Sequence, residues 1–286
     1  MYNLSDINTV KAVLSRHGFT FSKQLGQNFL IDPDVCPTMA EYAVTHSETG
    51  VIEIGAGVGV LTAELLKRAK KVVSIELDRR ILPVLDETLA DFDNFEVVND
   101  DILKVDLHAL IKEKFADCSE VVICANLPYY ITSPVIMKLL EDKLPVAKII
   151  VMVQREAADR LTADVGSRES GAITVAVNFY SKAEKLFDVS RECFMPSPKV
   201  DSAVISLTPY SQPPVEVDDE KFFFSLVKAV FMQRRKTAFN SISSIMKIDK
   251  EKVVSALENC GFSPTVRAEA LTLDELCRLS NELQKL

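Results

Sequence analysis

Between residues 51 and 153, short apolar runs alternate with amphipathic stretches, and this limits what the chain can fold into more than any other feature. The runs are Val51-Ile52-Glu53-Ile54, Val72-Val73-Ser74-Ile75, Phe95-Glu96-Val97-Val98, Val121-Val122-Ile123-Cys124-Ala125 and Lys148-Ile149-Ile150-Val151-Met152-Val153. The run 121–125 is short, apolar and largely β-branched, which fits a strand covered on both faces, and 51–54 also reads as a buried strand. Helical spacing over 60–69, and again up to about residue 90, follows the first two. Strands and helices joined right-handedly give a doubly wound parallel sheet. The expected fold class is therefore α/β, with ligands bound beyond the C-terminal ends of the strands.

The flanks add a cover and a second domain. Ile7, Val10, Val13 and Leu14 recur at helical spacing over 5–17, and Gly18 is placed to end that helix. The stretch from Phe21 to Leu30 mixes aromatics, amides and glycine without a period, and reads as a loop wrapped over something else. Residues 171–180 read as a further helix. The runs 184–189 and 200–207 read as an antiparallel hairpin closing one edge of the sheet. Thr208-Pro209-Tyr210-Ser211-Gln212-Pro213-Pro214 has the composition of a linker. Beyond it helices are expected over 218–232, 237–247 and 250–260, with a last one opened by the capping box Thr272-Leu273-Asp274-Glu275. Two domains follow: an α/β domain over 1–210 and a small all-helical domain over 211–286.

Several function classes are disfavoured. No apolar run reaches the length of a membrane span and Met1-Tyr2-Asn3-Leu4-Ser5-Asp6 lacks the layout of a secretory signal, so a cytoplasmic, membrane-free protein is expected; separately, a monomer is expected. The six cysteines show no Cys-x-x-Cys spacing and are expected to be buried, reduced thiols. His17, His46 and His108 stand in unrelated surroundings, against a histidine triad or a metal cluster, and no metal is expected. The net charge of −8 argues against a uniformly basic nucleic-acid binder, but the deficit lies wholly within the first 210 residues. Local basic groups, Arg155 with Arg160, Lys199, and Arg234-Arg235-Lys236, remain candidates for phosphate contact.

Polar residues gather where the strands end. Gly55-Ala56-Gly57-Val58-Gly59 is a tight turn between a strand and a helix, where backbone N–H groups can approach a ligand, and Glu76 at the end of the next strand suits ribose hydroxyls. The same layout serves nicotinamide, flavin and S-adenosylmethionine enzymes. Two details favour the methyl donor: Glu53, two residues before Gly55, brings a carboxylate near the turn, where it suits a cation better than a pyrophosphate, and Asp101 supplies an acceptor for an adenine amine. The fourth strand ends in Asn126-Leu127-Pro128-Tyr129. An adenine amine is a poor nucleophile because its lone pair is delocalised into the ring. Hydrogen bonds from its protons to the Asn126 amide oxygen and the Leu127 carbonyl would hold the nitrogen toward tetrahedral geometry, while Tyr129 stacks on the base. Phe194, in the loop Phe194-Met195-Pro196-Ser197-Pro198-Lys199-Val200-Asp201-Ser202, is a candidate for the other face. A base inside a duplex cannot reach such a pocket, which implies flipping or a single-stranded loop.

Taken together, these motifs resemble the ribosomal RNA adenine dimethyltransferases, most closely the bacterial KsgA type that modifies small-subunit RNA. The matching residues are Gln27-Asn28-Phe29-Leu30-Ile31-Asp32, Glu53 to Gly59, Glu76, Asp101, Asn126 to Tyr129 with Thr132-Ser133-Pro134, Val153-Gln154-Arg155-Glu156, Phe194 to Ser202, and Phe231 with Gln233-Arg234-Arg235-Lys236-Thr237. The resemblance implies a seven-stranded Rossmann-like methyltransferase sheet with a small helical C-terminal domain and S-adenosylmethionine as donor. It implies donor contacts at Asn28, Leu30, Gly55, Glu76, Asp101 and Asn126. The implied partner is the small ribosomal subunit with its rRNA, on which two methyls go to each of two adjacent adenosines near the 3′ end. Tyr130 stands where many members have Asn, and Asn178 where Gln is frequent. The rivals are the related large-subunit enzymes of antibiotic resistance and a ribosome-assembly factor acting by binding. Leu127 and the Gln233-Arg234-Arg235-Lys236 stretch favour the small-subunit reading.

Overall fold

The computed structural model describes residues 2–19, 28–233 and 235–285; Gln27 and Arg234 lie outside the described residues. The chain divides into two compact units, Met1–Ala158 with Glu184–Pro209, and Asp159–Ala183 with Tyr210–Leu286. Residues 159–183 thus group with the C-terminal helices, whereas the sequence reading put one break after residue 210. Helical periodicity shows that a segment buries a face, but not against which partner.

In chain order the elements are α1 (Ile7–Arg16), β1 (Phe29–Leu30), α2 (Val35–Ala43), β2 (Thr49–Ile54), α3 (Val60–Leu66), β3 (Lys71–Ile75), α4 (Leu82–Thr88), β4 (Phe95–Val98), α5 (Leu107–Lys114), β5 (Glu120–Asn126), α6 (Thr132–Glu141) and β6 (Lys148–Gln154). There follow α7 (Arg155–Leu161), α8 (Ala172–Tyr180), β7 (Ser181–Val189), β8 (Phe194–Met195), β9 (Ser202–Pro209), α9 (Glu220–Met232), α10 (Ala238–Ser241), α11 (Lys250–Asn259) and α12 (Leu273–Lys285). The seven-stranded sheet has the order β4-β3-β2-β5-β6-β9-β7. From β4 to β6 neighbours are parallel, and β9 is antiparallel to β6. The strands β2, β5 and β6 are buried almost throughout, which accounts for their unbroken apolar sequences.

The order reverses at β2, with β3 on one side and β5 on the other, and such a switch point opens a crevice at the C-terminal ends. Register brings those ends into line. Ile54 pairs with Ile75 and with Ala125, and Ile75 pairs with Val98. The ladders run one bond further, from Gly55 N–H to the Ile75 carbonyl and from Glu76 N–H to the Val98 carbonyl, both 2.9 Å.

Local chemistry sets the boundaries. Asp6 accepts the N–H groups of Asn8 and Thr9 and opens α1. Thr272 and Glu275 form the reciprocal capping box at α12, with Thr272 N–H donating to Glu275 Oε2 at 2.9 Å. The stretch read as one helix over 237–247 is the short α10 followed by a π-turn, Ile242–Met246, ended by Lys247 at φ 57°. The ladder between β1 and β8, pairing Phe29 with Met195 and Leu30 with Phe194, had no counterpart in the sequence reading. Cys36, Cys124 and Cys277 are buried free thiols, while Cys118, Cys193 and Cys260 are only half-buried. Among the described residues no helix is long and apolar enough to cross a membrane.

Gly50 in β2 is required sterically. A Cβ there would lie 2.3 Å from Cδ1 of the buried Phe115 ring. Gly50→Ala is expected to destabilise the protein by about 1–3 kcal/mol through overpacking. Urea unfolding would show it as a lower midpoint at unchanged slope.

Candidate active site

A cavity of about 280 Å³ opens where β2, β3, β4 and β5 end. Its wall takes Gly55 and Gly57 from the turn after β2, Glu76 from the end of β3, and Asp101 from the loop after β4. Asn126, Leu127 and Tyr129 come from the end of β5, and Asn28, Leu30 and Phe194 from the β1·β8 ladder and the residue before it.

The turn after β2 forms wall out of bare backbone. Gly55 has φ 78°, and a Cβ there would meet nothing within 4 Å, so the missing side chain keeps space open. Gly57 N–H donates to Glu76 Oε2 at 3.1 Å, and Asp78 N–H to Glu76 Oε1 at 2.8 Å. Both carboxylate oxygens are thereby held, each with a lone pair to spare. Burial raises the Glu76 pKa, opposed by those two N–H bonds. Asp101 Oδ1 accepts Leu103 N–H at 3.0 Å, and Lys104 Nζ stands 3.6 Å from Oδ2.

Glu53 corrects the sequence reading: it is fully buried and is not part of the cavity wall. Because it lies inside β2 rather than past its end, its side chain enters a helix layer. There Thr62 Oγ1 of α3 donates to Oε2 at 2.7 Å and Ser74 Oγ of β3 donates to the same oxygen, while Oε1 has no partner. It therefore braces the glycine turn from below.

On the acceptor side Asn126 is the last residue of β5, and Leu127 N–H continues the ladder to the Met152 carbonyl at 3.1 Å. Pro128 then leads into a 3-10 turn, Tyr129–Ile131, that runs into α6. The Tyr129 hydroxyl is 2.8 Å from Ser202 Oγ at the start of β9, a partner that sequence spacing did not single out. Burial raises the Tyr129 pKa, so the phenol stays neutral. Phe194 is buried and paired with Leu30, which brings a donor-side and an acceptor-side candidate into one ladder. The only link foreshadowing this was that both loops carried Phe beside polar residues.

The ionisable side chains of the wall include the carboxylates of Glu76, Asp100 and Asp101, and no Lys, Arg or His among the described residues lines it. Such a wall favours a cation. Asn178 is not part of it; its Nδ2 donates to the carbonyls of Ala163 and Thr174. Of the basic candidates, Arg155 and Lys199 are exposed in the first unit, where Arg155 N–H bonds the Asp201 carbonyl at 3.0 Å. Arg160, Arg235 and Lys236 are exposed in the second unit.

A family model described as Ribosomal RNA adenine dimethylase matches residues 18–285. The chain belongs to that family. This dimethylase is 48% identical over 279 residues to the Ribosomal RNA small subunit methyltransferase A of Geobacillus thermodenitrificans (strain NG80-2), covering 96% of this chain and 95% of that one. It is 46% identical over 286 residues to the protein of the same name from Bacillus mycoides (strain KBAB4), covering 99% and 98%. Among solved structures it resembles a dimethyladenosine transferase from Plasmodium falciparum, 26% identical with a TM-score of 0.72 over 90% of this chain and 98% of that one. It also resembles the 23S rRNA methyltransferase ErmE, 28% identical with a TM-score of 0.65 over 90% and 99%.

The buried brace of the dimethylase gives it a pH signature. Burial pushes the Glu53 carboxyl from 4.5 up to about 7 despite the two hydroxyl donors. An acid with a raised folded-state pKa holds its proton more tightly when folded. Its penalty is absent below the unfolded value and grows as pH rises toward the folded one. Between about pH 5 and pH 8 the wild type is expected to lose up to about 3 kcal/mol of stability through this group. In Glu53→Gln that component is absent, so parallel denaturant titrations should give a flatter pH profile; an identical slope in both proteins counts against the assignment.

Proposed function

We propose that this dimethylase transfers methyl groups from S-adenosylmethionine to the exocyclic amines of two adjacent adenosines near the 3′ end of small-subunit (16S) ribosomal RNA, two methyls to each. The observation that carries the reaction is the single cavity with Glu76 and Asp101 on one side and the Asn126-Leu127-Pro128-Tyr129 turn on the other. The choice of RNA is supported by identity of 46–48% along nearly the whole chain to relatives named for the small subunit, against 28% to ErmE. The same reading has the protein work in the cytoplasm, as a single chain, on the small subunit.

The donor set suits S-adenosylmethionine. The carboxylates without a wall cation suit a sulfonium, the bare Gly55 backbone leaves room for an amino-acid end, and the volume is close to the roughly 300 Å³ at which ligand pockets begin. The bound cofactor supplies an electrophilic methyl on positively charged sulfur. Glu76 would accept from ribose hydroxyls and Asp101 from the adenine amine, with Asn28 and Leu30 closing the wall. On the acceptor side, the Asn126 amide oxygen and the Leu127 carbonyl accept the two protons of the target amine and aim its lone pair. Tyr129 and Phe194 cover the faces of the base. An amide has no usable basicity, and the Tyr129 hydroxyl is held by Ser202. The wall therefore orients the amine, and its proton leaves to water or a carbonyl.

Purified protein is expected to move labelled methyl to unmethylated small subunits, and Asn126→Ala to lower kcat by about 100-fold or more, the scale of losing one oriented polar group, with subunit binding retained. Methyl appearing on large-subunit RNA instead would overturn the substrate assignment. The exposed Arg235 and Lys236 are read as phosphate contacts. Arg235→Ala with Lys236→Ala should weaken RNA binding and reduce the slope of log affinity against log salt by roughly one to two; an unaltered slope removes them from the interface.

A further inference from the structure

We propose that Tyr130 is a stacking platform for the nucleotide beside the target adenosine, and so helps set how the adjacent pair is presented to the cavity. This deepens the function proposed above and rests on it.

Large apolar side chains exposed among the described residues are few, and three of them, Leu77, Leu103 and Tyr130, belong to the active-site wall. Exposed apolar side chains that line a cavity are available for contact with what enters it. Leu77 adjoins Glu76 and Leu103 lies two residues past Asp101, so both edge the donor side. Tyr130 adjoins Tyr129 and edges the acceptor side.

The two tyrosines differ in what holds them. Tyr129 is half-buried, with its hydroxyl on Ser202, whereas Tyr130 is 55% exposed and no hydrogen bond or ring contact fixes its side chain among the described residues. Its backbone is nonetheless firmly set. Ile131 N–H donates to the Pro128 carbonyl at 3.1 Å, and α6 begins at Thr132. The ring is thus carried on an ordered support, which lowers the cost of using it for binding.

A nucleobase is the occupant that this geometry favours. A base that enters the cavity must leave its stack, and its neighbour in the strand then loses a stacking partner on that side. An exposed aromatic face at the mouth replaces that partner without demanding a particular base. Lys199, exposed, lies three residues before the Ser202 that holds Tyr129, and a cation on that loop suits the adjoining phosphate. Because the proposed targets adjoin, one adenosine is the neighbour while the other occupies the cavity.

The test compares wild type, Tyr130→Ala and Tyr130→Phe on unmethylated small subunits. It measures kcat and KM for the subunit, S-adenosylmethionine affinity by calorimetry, and methyl distribution over the two adenosines by mass spectrometry. Tyr130→Ala is expected to lose roughly 5- to 150-fold in kcat/KM, the range of one base–aromatic stack, mainly through KM and with a skewed distribution. Its affinity for S-adenosylmethionine should be unchanged, which also reports an intact fold, and Tyr130→Phe should recover most of the loss. The proposal is overturned if Tyr130→Ala matches wild type, if its affinity for S-adenosylmethionine falls in parallel, or if Tyr130→Phe is as impaired as the alanine variant. A wild type that methylates no small-subunit RNA overturns the parent reading and this inference with it, whereas an active wild type matched by Tyr130→Ala overturns this inference alone.

Discussion

The site depends on the parallel ladders of the sheet ending together. Because Ile54, Ile75, Val98 and Ala125 are aligned, the first residues beyond them emerge along one edge. Gly55, Glu76 and Leu127 each spend a backbone N–H on a neighbouring strand, which fixes the start of the loops after β2, β3 and β5 before any side chain is considered. A slip of one residue in any pairing would turn buried side chains to the opposite face, so the apolar sequence that stabilises the core also sets the aim of the site.

Against that frame the buried Glu53 is costly. A carboxyl among apolar strands, with one oxygen bonded twice and the other unpartnered, is poorer for stability than an aliphatic side chain of similar size. What it provides is a three-point tie between β2, α3 and β3 just beneath the turn that forms the cavity wall. Local conflict between stability and sequence is concentrated at functional sites, and here it lies one layer below the cavity wall.

Much of this was legible in the sequence. The α/β class followed from apolar runs of strand length separated by helical spacing, and the polar residues at four strand ends marked the edge where the cavity lies. Glu76 directly follows β3 and Asn126 ends β5, while Asp101 and Tyr129 each lie three residues past a strand end, and that placement made all four readable. Glu53 was misread because alternation within a doubly covered strand does not tell which layer a side chain enters. The β1·β8 ladder spans two residues on each strand, too few to leave any period, and the Ser202 partner of Tyr129 is distant in sequence. The grouping of residues 159–183 with the C-terminal helices was hidden for a related reason, since amphipathicity does not name its partner.

That short ladder has a thermodynamic consequence. Two residue pairs contribute little stability by themselves, yet they join Leu30, on the wall that would face the methyl donor, to Phe194, on the wall that would face the base. Any free energy spent in holding one wall is shared by the other. Were a ligand at one wall to settle this seam, reciprocity would require a ligand at the other wall to gain equally from it.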